Sequence, residues 1–167
     1  MTTETTVDPE ASYAALLEQI RAGIAGRDVR LVGIHSGGAW IAERLHRDLR
    51  LDGPLGTLSS AFHRDDYGKR RYLPAESRQT DLPFDVRGAD IILVDDILYT
   101  GRTVRAALNE LFDYGRPSRV ELAVLIDRGG RELPIEARYC GAVHHLPEHA
   151  SFEFSREPDG RFALRLA

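Results

Sequence analysis

Asp95 and Asp96 stand side by side, and Tyr99-Thr100-Gly101-Arg102-Thr103 follows almost at once. Carboxylates accept hydrogen bonds from sugar hydroxyls or face a magnesium ion, whereas hydroxyls and closely approached main-chain amides suit a phosphate. The two sets act on one ligand only if the chain holds them at one spot, and the flanking residues supply the means. Ile91-Ile92-Leu93-Val94 is an unbroken apolar run, read as a strand buried on both faces of a parallel sheet. Beyond the turn, Val104, Ala107, Leu108 and Leu111 fall at helical spacing. A helix starting near Arg102 aims unsatisfied amides and the positive end of its dipole into the turn. Gly101 admits a close approach, and Tyr99, Thr100 and Thr103 add hydroxyls. Ligands of open α/β sheets bind at the carboxyl ends of strands. A Walker A loop is excluded, because the Gly-Lys-Ser/Thr ending is missing. The plain alternative is a strand, turn and helix with a charged surface loop.

Two more strands carry polar and glycine residues at their carboxyl ends, the first of them again followed by a helix. Val29–Ile34 alternates as a core strand and runs into His35-Ser36-Gly37-Gly38, before a helix with Ala39, Ile41, Ala42, Leu45 and Leu49 inward. Two glycines beside a serine at a helix start form a second anion cradle. Arg119–Ile126 is a further strand, and Asp127-Arg128-Gly129-Gly130 at its carboxyl end should border the same cleft. Leu55–Phe62 reads as a strand, followed by a polar, glycine-containing loop that runs from His63 through Thr80 toward Pro83. A loop of that length is usually functional or disordered. Its Arg64, Lys69, Arg70, Arg71 and Arg78 either serve a leaving anion or form a solvated face.

The remaining elements are supports. Asp8 and Pro9 form a helix start, with Tyr13, Leu16, Leu17, Ile20 and Ile24 as its apolar stripe, ending near Gly26. Gly115-Arg116-Pro117 stops the helix after the central strand. Phe152–Ser155 and Phe162–Leu166 read as a hairpin joined around Glu157–Gly160. Residues 1–7 look disordered. Trp40 reads as packing.

A length of 167 residues with 43% hydrophobic content fits one domain over residues 1–167. No apolar run is long enough to span a bilayer, and the polar start has no signal-peptide core. With Cys140 as the single cysteine, no internal disulfide forms and a reducing cytosol is expected. The net charge of -4 gives no general attraction to nucleic acid. His144, His145 and His149 lack the spacing of a zinc site and read as a loop.

The acidic pair with its Thr-Gly turn resembles the phosphoribosyl-pyrophosphate (PRPP) signature of type I phosphoribosyltransferases. The longer text Val94–Leu108, joined to Asp127-Arg-Gly-Gly-Arg-Glu-Leu-Pro-Ile135, resembles the PyrR family of pyrimidine regulators that are also uracil phosphoribosyltransferases. Resemblance runs from about Val29 to Gly141 and is strongest over Leu93–Ile135. It implies an α/β type I phosphoribosyltransferase fold, with a mostly parallel sheet flanked by helices, a mobile flap over 62–80 and a small hood. It implies roles too: Asp95 and Asp96 on the ribose, Arg64 catalytic in the flap, and Tyr99, Thr100, Gly101, Arg102 and Thr103 on the 5′-phosphate. His35, Ser36, Gly37 and Gly38 would hold pyrophosphate. Main chain near Ile126, Asp127 and Arg128 would read the base, with Asp127 toward magnesium. Mg2+ is the implied cofactor, entering with PRPP. Implied partners are uracil, UMP or UTP, pyrimidine-operon leader RNA and a second copy of the chain in a homodimer or larger assembly.

Two departures stand out. Many members show Lys-Thr-Arg-Gly where this chain has His35-Ser36-Gly37-Gly38, so a bidentate cation is missing while the main-chain amides remain. His35 either substitutes in part or is a polar turn residue. The first helix, basic in RNA-binding members, carries chiefly Glu18 and Arg21 on its exposed face, so no RNA-contact residue is carried over. The alternatives are an RNA-binding nucleotide sensor with little catalysis, or the same fold acting on a purine or orotate.

Overall fold

A computed structural model describes residues 7–59 and 80–167. The expected flap at 62–80, with Arg64 and all the loop cations, therefore lies outside the described residues except for Thr80; so does the N-terminal stretch except for Val7. Among the described residues the order is α1 (Pro9–Gly23), β1 (Val29–Ile34), α2 (Gly37–Asp48), β2 (Gly56–Leu58), β3 (Asp90–Leu98), α3 (Arg102–Phe112) and β4 (Arg119–Asp127). β5 (Tyr139–Val143) and a hairpin of β6 (Phe152–Arg156) and β7 (Phe162–Leu166) complete the chain. The first five strands form one parallel sheet in the order β2-β1-β3-β4-β5.

The run at Ile91–Val94 is wholly buried, as an apolar strand between two covered faces must be. On one face α1 and α2 cover Leu31, Ile92, Val94 and Leu125 with Leu16, Ile20, Ile41 and Leu45. On the other, Val104, Ala107 and Leu111 of α3 pack with Val32, Leu93 and Val124. Each such side chain contributes about 1.5–3 kcal/mol on leaving water, so the sheet is a rigid floor for the loops at its carboxyl edge.

Three sequence expectations change. Val7 is not disordered but packs against the α1–α2 core. Of the strand expected over Leu55–Phe62, the described residues form Gly56–Leu58, joined by an antiparallel bridge between Thr57 and Asp81, and 60–62 lie outside the described residues. Helix α1 stops at Gly23, with Ile24 as C-cap, before Gly26. Gly23 ends the helix where the Tyr139 ring lies against it.

The hairpin packs on α1 and α2 as the small hood, through a layered contact. The Arg44 guanidinium lies 4.5 Å from the ring centres of both Tyr13 and Phe162. It donates two 2.8 Å hydrogen bonds to Glu10, whose Oε2 also accepts from the Phe162 amide at 3.1 Å. These bonds from Arg44 hold the Glu10 carboxyl below its ordinary range despite partial burial. A carboxyl with a lowered folded pKa stabilises the fold above its unfolded pKa, and that contribution is lost as pH falls through the folded value. Glu10→Gln is expected to cost about 1.5–3 kcal/mol at neutral pH. Urea midpoints should show the gap between variant and wild type closing below about pH 4; a gap independent of pH would show that the charge is not what matters.

Candidate active site

β1 and β3 are parallel neighbours with Gly33 opposite Val94, so the loops leaving their carboxyl ends emerge side by side. The β1 loop folds flat across the end of β3. A Cβ placed on Gly38 would fall against the Val94 carbonyl oxygen and 2.9 Å from Asp95 Cα. One placed on Gly37 would meet the Asp96 carboxylate and come 2.9 Å from the Phe154 ring. The sequence needs two glycines here because main chain, carboxylate and hood meet with no room for a side chain. Ser36 is the exposed member, and the His35–Ser36 peptide is cis. The His35 amide donates to Leu58 O at 3.0 Å and is not available to an anion. The amides that open α2 have no intrahelical acceptor.

The two carboxylates differ in setting. Asp95 is buried, 6% exposed, and its Oδ1 accepts from the Asp96 amide at 2.8 Å. Asp96 is half-buried, beside Gly37, and its Oδ1 accepts from Ile97 N at 2.7 Å. Both are thus fixed by main-chain donors, with Asp96 at the junction of the two loops.

Gly101 caps α3 in the left-handed region, φ 95°, a conformation that strongly favours glycine. Thr100 Oγ1 accepts from Arg102 N at 3.2 Å, while helix geometry leaves the Thr103 and Val104 amides without an intrahelical acceptor. The turn is buttressed from behind. Thr100 O accepts from Glu132 N at 2.9 Å and Leu133 N at 3.1 Å, and Ile135 packs against Gly101. Arg131 Nη1 donates to Tyr99 O at 2.7 Å, and its Nη2 pairs with Asp127 at 2.7 Å. This gives a physical reason why the acidic-pair text and the Asp-Arg-Gly-Gly-Arg-Glu-Leu-Pro text occur in one chain: the second braces the first.

That bracing bears on three expectations. Asp127, expected toward magnesium, has a partner on each oxygen, Arg131 on Oδ2 and Gly129 N on Oδ1 at 3.0 Å. Burial opposes its ionisation, yet these hydrogen bonds outweigh it and hold the carboxyl below its usual value. Main chain at Ile126, Asp127 and Arg128 was expected to read the base. Of these groups, Ile126 is paired within the sheet, Asp127 O accepts from His144 N at 2.9 Å, Arg128 N donates to Leu98 O at 3.0 Å, and Arg128 O accepts from Leu146 N at 3.2 Å. Tyr99 was expected to offer its hydroxyl to phosphate. Its ring lies under the Arg128 guanidinium, 3.8 Å from centroid to Cζ, and against Gly130.

Sequence reasoning missed Arg131, which holds the turn, and Phe154, which reaches Gly37 from the hood. It also missed His145, which lies against Gly129. Arg131 lay within a quoted motif, but nothing in its spacing pointed back to Tyr99. His144 stacks edge-on against Phe152 at 5.5 Å. Among the described residues no His, Cys, Asp and Glu cluster could hold a metal by itself.

A family model described as the phosphoribosyl transferase domain matches residues 8–153. The Bifunctional protein PyrR of Ralstonia nicotianae is 51% identical over 160 residues, covering 94% of this chain and 91% of that protein. The protein of the same name from Pseudomonas fluorescens is 42% identical over 151 residues, covering 89% of each. Among solved structures, a hypoxanthine-guanine phosphoribosyltransferase from Bacillus anthracis has a TM-score of 0.65 at 21% identity, covering 89% of this chain and 85% of that one. The chain belongs to the phosphoribosyltransferase family and, within it, to the PyrR family. Its fold is that of the phosphoribosyltransferases, with the parallel sheet and flanking helices described above.

Proposed function

We propose that this chain transfers the phosphoribosyl group of PRPP to uracil, releasing pyrophosphate, and serves also as a pyrimidine regulator. The observation that carries this reading is the meeting of the β1 loop with Asp96 beside the braced Thr100–Thr103 turn. An anion cradle, a carboxylate pair and a phosphate turn then lie in the order that leaving group, ribose and 5′-phosphate take along PRPP.

In the reaction the C1′–O bond breaks, pyrophosphate leaves with the electron pair, uracil N1 bonds to C1′, and the N1 proton is released. Positive charge grows on the ribose as the bond opens. Asp95 and Asp96, fixed by main-chain amides, accept from ribose hydroxyls and oppose that charge. The amides at the starts of α2 and α3 hold the two anionic ends of PRPP, which fixes the ribose between them. Magnesium would enter with PRPP, with Asp96, whose carboxylate lies at the β1 loop beside Gly37, as the side chain placed to face it. When bound, it neutralises charge on the leaving pyrophosphate.

Leader RNA, with UMP or UTP as effector, and a homodimer belong to the same proposal. The relatives' name, Bifunctional protein PyrR, supports the regulatory half. No described helix is long and apolar enough to cross a membrane. The test is pyrophosphate release from PRPP and magnesium upon addition of uracil, compared with hypoxanthine, guanine and orotate. Release with uracil alone is expected. Release only with another base would replace uracil in this reading.

A further inference from the structure

Arg128 is a buried cation held without an anion. Only 4% of it is exposed, and among the described residues no carboxylate pairs with it. Nη1 donates to Ala150 O at 2.7 Å and Nη2 to Pro147 O at 3.1 Å. Nε is buried with no hydrogen-bond partner, and the guanidinium face lies 3.8 Å from the Tyr99 ring centre. Burying a charge is costly unless geometry returns something specific. What this geometry returns is a joint between segments distant in sequence. Tyr99 opens the phosphate turn after β3. Pro147 and Ala150 belong to the strap that leaves β5 and leads into the hood, whose Phe154 meets the β1 loop.

The main chain repeats the joint, through Arg128 N to Leu98 O and Leu146 N to Arg128 O. His145 rests on Gly129 beside it. A planar fork with one face on an aromatic ring and two donors on carbonyls is a task for arginine that lysine does not reproduce. We infer that Arg128 is a positioning residue that locks the Pro147–Ala150 strap to Tyr99, so that the strap and the phosphate turn bind the two halves of a nucleotide as one body. The inference rests on the uracil reading above and deepens it: the strap is the wall against which the base is held, and Arg128 acts on the base through the strap without touching it.

A rigid joint makes the contributions of phosphate and base reinforce each other; a loose one lets the strap pay its ordering cost when the base arrives. The experiment measures the dissociation constants of ribose 5-phosphate and of UMP by calorimetry for wild type, R128K and R128M, with melting curves for each. Ribose 5-phosphate should bind all three within about twofold, while UMP should bind both variants at least about tenfold more weakly. R128K keeps the charge, and its failure to rescue UMP binding is expected. UMP binding unchanged in both variants overturns the inference, as does full rescue by lysine, which would make charge alone the cause. Equal weakening of both ligands overturns it too, by showing a general loss of structure. If R128M does not fold, R128K carries the comparison on the same terms. A wild-type chain that binds ribose 5-phosphate but not UMP removes the uracil reading and this inference together. One that binds both leaves the uracil reading standing whatever the variants do.

Discussion

With Asp95 and Asp96 both replaced by asparagine, uracil-dependent pyrophosphate release should fall at least about 10³-fold while the chain stays folded. The structure gives reasons for both halves. The Oδ1 atoms of the two residues accept main-chain hydrogen bonds at 2.8 and 2.7 Å, and an asparagine oxygen can accept in the same places. The negative charges proposed to face the developing cation are lost, and this is the property that distinguishes carboxylate from amide. Purified double variant with a melting temperature near that of wild type and no measurable turnover is the expected result. Retained turnover would count decisively against a ribose role for the pair.

Gly38→Ala is expected to damage both stability and turnover. The added carbon would press on the Val94 carbonyl oxygen and lie 2.9 Å from Asp95 Cα. Both are main chain in the central strand, so neither can swing aside. The β1 loop must lift from β3, with an expected cost of about 1–3 kcal/mol of strain and about 10²-fold in kcat/KM from misplacement of the cradle. Denaturation midpoints and steady-state kinetics on the same preparation check the two numbers. Wild-type kinetics in the alanine variant would show that the loop need not lie flat to work.

The parts of the fold that could be read from sequence are those written locally. The runs at Val29–Ile34, Ile91–Val94 and Leu122–Ile126, and the stripes of α1, α2 and α3, each carry their period in a few adjacent residues. β5 does not. Tyr139-Cys140-Gly141-Ala142-Val143 has small residues because α1 crosses closely there: a Cβ on Gly141 would meet Ser12 O and Leu125 O. That constraint comes from a distant helix and leaves no periodic trace. The candidate site divides in the same way. The places of Asp95, Asp96, Gly37, Gly38 and the Thr100–Thr103 turn around the ends of β1 and β3 were legible, since each is written beside its strand. The occupation of Asp127 and the main chain around it was not, because Arg131, His144 and Leu146 take those groups through tertiary contacts. The resemblance to PyrR text marked the segment as important without saying that it works as a brace.

Phe154 of the hood lies against the site Gly37 would need for a side chain, and the hood is fastened by Glu10 and Arg44 near the other end of the sequence. During synthesis the strands that carry the anion loops leave the ribosome well before the segment that roofs them. A nascent chain halted after β5 would leave Gly37 without the Phe154 ring against it, so the roof over the β1 loop arrives only once β6 has followed.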